Sequence, residues 1–188
     1  GNGGGISVDE GDEVYVVNCR IRGNTSDEGN GGGLHAIGGD PETSDMATTN
    51  CLFTYNSPED STNGLGGGIY TDDIQLSMWG TTVANNTGRR GGGMRYGGGN
   101  ELNTSGINSS IFYDNTGNQA HGHQILQSNA PLDLDYCDVE DRNNSDHVSG
   151  SVTWGSGNIS DDPDFVNAGT GNYRLSCSSP CIESGDPD

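Results

Sequence analysis

The chain has 188 residues, enough for one domain, yet only 29% are hydrophobic while 33 are Gly and 20 are Asn, too little apolar material for a wide two-layer core. The net charge of −20 comes from 27 acidic residues against 7 Arg, with no Lys, which argues against nucleic acid and anionic lipid as partners because both would be repelled. No apolar run approaches the roughly 20 residues that span a bilayer as a helix, so no membrane insertion is expected. Such a composition stays disordered unless its scarce apolar residues recur in register.

They do recur. Glycines closed by an apolar residue open the chain at Gly3 to Ile6 (GGGI). An alternating segment with Val14 and Val16 follows, then VNCRIRGN ending at Asn24. The same order returns as GGGL closing at Leu34, Met46 with Thr48, and TNCLFTYN ending at Asn56. It returns again as GGGI closing at Ile69, Leu76 with Met78, and GTTVANN ending at Asn86. A fourth pass has GGGM closing at Met94, Ser105 with Ile107, and SSIFYDN ending at Asn115. A degenerate HGHQI then closes at Ile125, before Leu132, Leu134 and a weaker YCDVEDR around Cys137. The first five closing apolar residues lie 28, 35, 25 and 31 residues apart, and the closing asparagines 32, 30 and 29. Gly1 falls inside a repeat, so the chain reads as a fragment or a processed product.

Aligned on the second motif, Ile21, Phe53, Val83, Phe112 and Val139 form one column, and Cys19, Cys51, Thr81, Ser110 and Cys137 another. Within each element the spacing is two, the period of a strand with one buried face. The spacing of three between Val16 and Cys19 predicts a bend that lets both short strands point inward. Such strands must pair with those of the next coil. The expected fold is all-β: a single-stranded parallel β-helix of five to six coils of about 30 residues, with coils over 1–160 and a tail over 161–188.

Asn24, Asn56, Asn86 and Asn115 are expected to form a buried amide ladder, each donating to one neighbour and accepting from the next. The glycine runs are expected to be tight corners; they lack the spacing and the following helix of a phosphate-binding loop. In the tail, Cys177 and Cys181 (CSSPC) are placed to form a disulfide that pins the segment, which fits an oxidising, extracellular setting. Cys19, Cys51 and Cys137 read as small buried thiols.

The alternation of NGGGI with NCxFxxN resembles the right-handed parallel β-helix repeats of bacterial and archaeal surface or secreted proteins, within the pectate-lyase-like superfamily of folds. The tail, Asp162-Pro163 through Gly185-Asp186, is similar to the segment that follows the last coils of such proteins. The resemblance implies the right-handed sense. It leaves function open, because the class includes lyases, hydrolases, adhesins and structural surface proteins.

Three functional readings follow. The first is a non-catalytic extracellular structural or adhesive protein with no catalytic residues. Its partners are copies of itself, other surface proteins or polysaccharide, with assembly end to end into a filament or surface layer. The second is a Ca2+-dependent polysaccharide lyase or glycoside hydrolase, for which Asp72-Asp73, the His121/His123 pair and an Arg beside acidic residues are the raw material. The third is a carbohydrate-binding module, favoured if Trp79, Trp154, Tyr96 or Tyr113 lie exposed along one face. No cofactor is expected beyond structural Ca2+, with Asp161, Asp162 and Asp164 as first-choice ligands, ahead of Asp9, Glu10, Asp12 and Glu13 and of Asp133, Asp135 and Asp138. Asn85, Asn103, Asn108, Asn143 and Asn158 carry N-glycosylation sequons; Asn24 carries one too, but the ladder would bury its amide.

Overall fold

The computed structural model describes residues 3–11, 13–27, 29–39, 44–59, 64–98, 105–117 and 121–187. It is a right-handed parallel β-solenoid of roughly 29 residues per turn. Three long sheets run along it, with six, six and five strands. Sheet 1 stacks Ile6–Gly11, Leu34–Gly38, Ile69–Asp72, Met94–Tyr96, Ile125–Gln127 and Val148–Ser149. Sheet 2 stacks Glu13–Val17, Asp45–Thr49, Gln75–Trp79, Ser105–Asn108, Leu132–Asp135 and Val152–Trp154. Sheet 3 stacks Arg20–Arg22, Leu52–Thr54, Thr82–Ala84, Ile111–Tyr113 and Asp138–Val139.

The register reproduces the sequence columns. Ile21, Phe53, Val83, Phe112 and Val139 are successive partners in sheet 3. Val16, Thr48, Met78, Ile107 and Leu134 are successive partners in sheet 2, and the residues closing the glycine motifs pair down sheet 1 as far as Val148. These columns meet in one narrow core in which Phe53, Val83 and Phe112 are wholly buried. A few apolar residues per coil suffice because each is covered from above and below by its own counterpart.

The bend between sheets 2 and 3 is one left-handed residue per coil: Asn18, Asn50, Gly80, Ser109 and Tyr136, with φ between 48° and 56°. Reversing the sign of φ at a single position swings the chain to a new direction, and this accounts for the spacing of three. The glycine corners combine two demands. Gly66 takes φ 65°, and a Cβ on Gly67 would lie 2.3 Å from the Thr87 carbonyl oxygen and 2.4 Å from that of Gly92. Backbone approach this close leaves room for hydrogen only.

The asparagines do form a ladder. The backbone N–H and Nδ2 of Asn24 both donate to Asn56 Oδ1 (3.0 and 2.9 Å). Asn56 donates in the same way to Asn86 (3.0 and 2.9 Å), and Asn86 to Asn115 (both 3.0 Å). Arg142 stands where the next coil would supply an Asn. Asn115 Nδ2 turns instead to Gln124 Oε1 at 2.6 Å, and Gln124 Nε2 donates to Glu140.

The tail lies against the outer side of sheet 3. Phe165–Asn167 and Asn172–Leu175 form an antiparallel hairpin. Phe165 packs edge-on against Tyr113, and Tyr173 against Tyr55. Tyr55 donates from its hydroxyl to the Ala168 carbonyl at 3.0 Å, and Arg20 donates to that of Gly171. The tail therefore reaches the first coils as well as the last. All five cysteines, Cys177 and Cys181 among them, stand as free thiols. Successive turns, Ser179 N–H to the Ser176 carbonyl and Ile182 N–H to that of Ser179, leave Cys177 in solvent while Cys181 Sγ donates to Asp138 Oδ2 at 3.1 Å.

Candidate functional site

A group of chemically capable side chains stands on the outer face of sheet 1. His35 and Tyr70 are register partners, as are Tyr70 and Arg95. The His35 and Tyr70 rings stack at 5.0 Å with a 4° interplanar angle, and the Arg95 guanidinium lies 4.8 Å from the Tyr70 ring centre. Arg95 Nη1 is 2.8 Å from Asp72 Oδ1 and donates to the Thr71 carbonyl at 3.0 Å. The Tyr70 hydroxyl donates to Asp72 Oδ2 at 3.3 Å. His35 Nδ1 lies 3.4 Å from Asp9 Oδ1 without hydrogen-bond geometry. Burial lowers the His35 pKa, opposed by Asp9 and Asp72, and raises that of Tyr70. A side chain at position 97 would displace the ion pair, since a Cβ there would meet Asp72 Oδ1 at 2.0 Å and Arg95 Nη1 at 2.3 Å.

This group links coils. Tyr70 is sandwiched between His35 and Arg95, and Arg95 is held by a carboxylate, a carbonyl and a ring. Asp72 and Asp73 do not act as a pair: Asp72 faces Arg95, whereas Asp73 lies past the strand end in a left-handed bend at φ 48°. Nothing in the sequence marks Arg95 as the partner of Asp72. They sit at non-equivalent positions of neighbouring coils.

The His121/His123 expectation is corrected. Gly122 is left-handed (φ 66°), so neither histidine lies on a strand. His123 instead faces His147, with ring centres 5.1 Å apart. His147 lies 3.8 Å from Glu140 and 3.5 Å from Asp141. Burial, then His147, lowers the His123 pKa against Asp146, while burial raises that of Glu140.

The expected Ca2+ ligands do not converge. Among the described residues, no group of three or more His, Cys, Asp or Glu side chains is arranged to hold a metal ion. In the tail the donors of the turn itself occupy the carboxylates. Asp162 Oδ1 accepts from the Asp164 N–H at 2.9 Å, and Asp164 Oδ2 accepts from the Ser176 and Ser178 hydroxyls. Those hydroxyls hold the Asp164 pKa below its usual value. Asp161 meets Asp138 through its backbone N–H at 3.1 Å. Asp133 and Asp135 stand outward on sheet 2, whereas Asp138 is buried under the tail. Asp12 lies outside the described residues.

Among the sequons, Asn143 is exposed and Asn85 half-buried. Asn108 Nδ2 donates to Asp186 at 3.0 Å, and the Asn158 amide is bonded to Cys137 and Leu134. Asn103 lies outside the described residues.

Asp138 supplies a test. Burial raises its pKa above 3.8, opposed by bonds from Cys181 and Asp161. A carboxyl raised on folding adds stability that is complete below the unfolded pKa and is lost as pH rises through the folded one. The protein should therefore gain stability from this group as pH falls from neutral toward 4. Urea midpoints of Asp138→Asn should lack that increment; an unchanged pH slope would count against it.

A second surface is the outer face of sheet 2. Tyr15, Val17 and Trp79 are 66%, 47% and 46% exposed. Tyr15 is in register with Ala47, and Ser77 with both Ala47 and Gly106, so a row of small residues forms a trough beside Tyr15. Tyr15, Asp45, Ala47 and Ser77 line a depression of about 280 Å³ there. Of the aromatics marked from sequence, Trp79 alone is exposed. Tyr96 is buried, its hydroxyl donating to Ser105 Oγ at 2.6 Å; Trp154 packs on the core; Tyr113 is covered by Phe165. Tyr15 was legible in principle, since it lies between inward Val14 and Val16.

Fold and surfaces together define a right-handed parallel β-solenoid, consistent with the broad pectate-lyase-like class. No family model, curated protein or solved structure matches the chain.

Proposed function

We propose that the chain is a non-catalytic structural or adhesive module of an extracellular surface or assembly. One observation supports this reading above others: the Arg, Asp and Asn side chains best suited to chemistry are held in structural contacts. Arg95 grips Asp72 and Tyr70, the asparagines bond along the axis, and Asp164 serves its own turn. The rival is a polysaccharide lyase or glycosidase. Purified protein incubated with acidic and neutral polysaccharides, with and without Ca2+, is expected to leave chain length unchanged. Ca2+-dependent cleavage that disappears in Arg95→Ala would overturn the proposal.

Carbohydrate binding is a second reading, favoured by the sheet 2 face. Tyr15 and Trp79 are two coils and two residues apart, about 12 Å from strand geometry, close to the span of two sugar units in an extended chain. Their exposed rings offer apolar stacking surfaces, and the acidic surface disfavours an anionic glycan. Retention on an insoluble neutral polysaccharide is expected to fall at least tenfold in Tyr15→Ala/Trp79→Ala. Equal retention of both proteins would remove this reading and leave the structural one standing.

A further inference from the structure

Cys19 and Cys51 occupy the same position of the first two coils, just after the left-handed Asn18 and Asn50. Both flanks of this bend are in register: Val17 pairs with Thr49, Arg20 pairs with Leu52, and the Leu52 N–H donates to the Cys19 carbonyl at 2.9 Å. The two Cα atoms are therefore one strand spacing apart, about 4.8 Å, inside the roughly 4.4–6.8 Å that a disulfide spans.

The thiols also point the same way. Each donates to the carbonyl two residues before it, Cys19 Sγ to Val17 at 3.2 Å and Cys51 Sγ to Thr49 at 3.3 Å, and Cys51 Sγ also meets the Val16 carbonyl across the coil gap at 3.1 Å. Consecutive carbonyls of a strand point to opposite sides, so Cys51 Sγ lies in the gap between the two coils while Cys19 Sγ faces away from it, and a rotation of Cys19 about χ1 turns its sulfur into the same gap. All three are weak thiol bonds, so giving them up costs little. The competing thiols are elsewhere. Thr81 and Ser110 separate Cys51 from Cys137 in the column, and Cys137 Sγ donates to the Ile107 carbonyl. Cys177 and Cys181 belong to the tail.

We propose that Cys19 and Cys51 form an inter-coil disulfide that staples the first two coils together at the bend between sheets 2 and 3. The co-reactant is a low-molecular-weight disulfide. The exposed Cys19 attacks it as the thiolate, forming a mixed disulfide and expelling one thiolate. Cys51, deprotonated in turn, attacks Cys19 Sγ and expels the second. Two protein thiols and one small disulfide thus become one protein disulfide and two small thiols, with the protein oxidised by two electrons. The bend is suited to this because Cys19 is exposed and its side chain is free to change rotamer.

The test uses the unmodified chain, treated with oxidised glutathione or with dithiothreitol, alkylated and digested without reduction. The expected result is a peptide containing Cys19 linked to one containing Cys51, lighter by two hydrogens than the pair. The thermal midpoint should also rise on oxidation, reversibly with dithiothreitol. That increment should be absent in Cys51→Ser, whose midpoint should not respond to glutathione. Recovery of both residues fully alkylated after oxidation, or of Cys19 as a stable glutathione adduct with Cys51 free, overturns the proposal. The peptide map decides the matter in the native sequence even if the variant folds poorly.

Discussion

Phe112→Ala is expected to destabilise the protein by about 3–5 kcal/mol in urea unfolding, the range for deleting a large buried aromatic whose site cannot collapse. Phe112 is wholly buried and lies between Val83 and Val139 in sheet 3. Its coil cannot close over the gap because ladder bonds hold it on both sides. The Ile111 N–H donates to the Thr81 carbonyl at 3.0 Å, and the Glu140 N–H donates to the Phe112 carbonyl at 3.0 Å. The cavity would remain open and cost its lining the contacts of the missing ring. Tyr15→Ala, on the solvent face of sheet 2, is the control and should fall within about 0.5 kcal/mol of the parent. A Phe112→Ala loss below about 1 kcal/mol would show that the column is not the core of the solenoid.

Asn86→Ala should cost a similar amount, about 3–5 kcal/mol, by a different route. Asn86 Oδ1 accepts from the N–H and Nδ2 of Asn56, and its Nδ2 donates to the Phe53, Ala84 and Asn115 oxygens. Truncation strands donors on one coil and acceptors on others where water cannot replace them, at about 1–3 kcal/mol for each buried group left unpaired. Asn86→Asp separates hydrogen bonding from size. It keeps the acceptor but loses the donors and buries a charge beside carbonyl oxygens, so its carboxyl should titrate above the ordinary range. Its penalty should be largest at neutral pH and shrink as acidification protonates the carboxyl. Equal penalties for Asn86→Asp at pH 4 and pH 7 would mean that the side chain is not buried in the ladder.

The two substitutions probe the part of the molecule that could be read without coordinates. In a solenoid, equivalent positions of successive repeats become neighbours, so a period along the chain is a contact in space. The Phe53, Val83 and Phe112 column, the bend at Asn18 and Asn50, the glycine corners and the Asn ladder are all contacts between like positions, and all left a period to find. The tail contacts, the Arg95–Asp72 pair, the His123–His147 pair and the Asp138–Cys181 bond join unlike positions and left none. Where an insertion or the tail returns to the coils depends on the length and direction of each excursion, and no repeat encodes that. Tertiary structure alone therefore decided that Asp164 accepts from Ser176 and Ser178, that Cys181 donates to Asp138, and that Arg95 is clamped between coils. Composition could supply charges in abundance, but whether charges converge or are tied off is settled by which unlike residues the packed coils bring within a few ångströms.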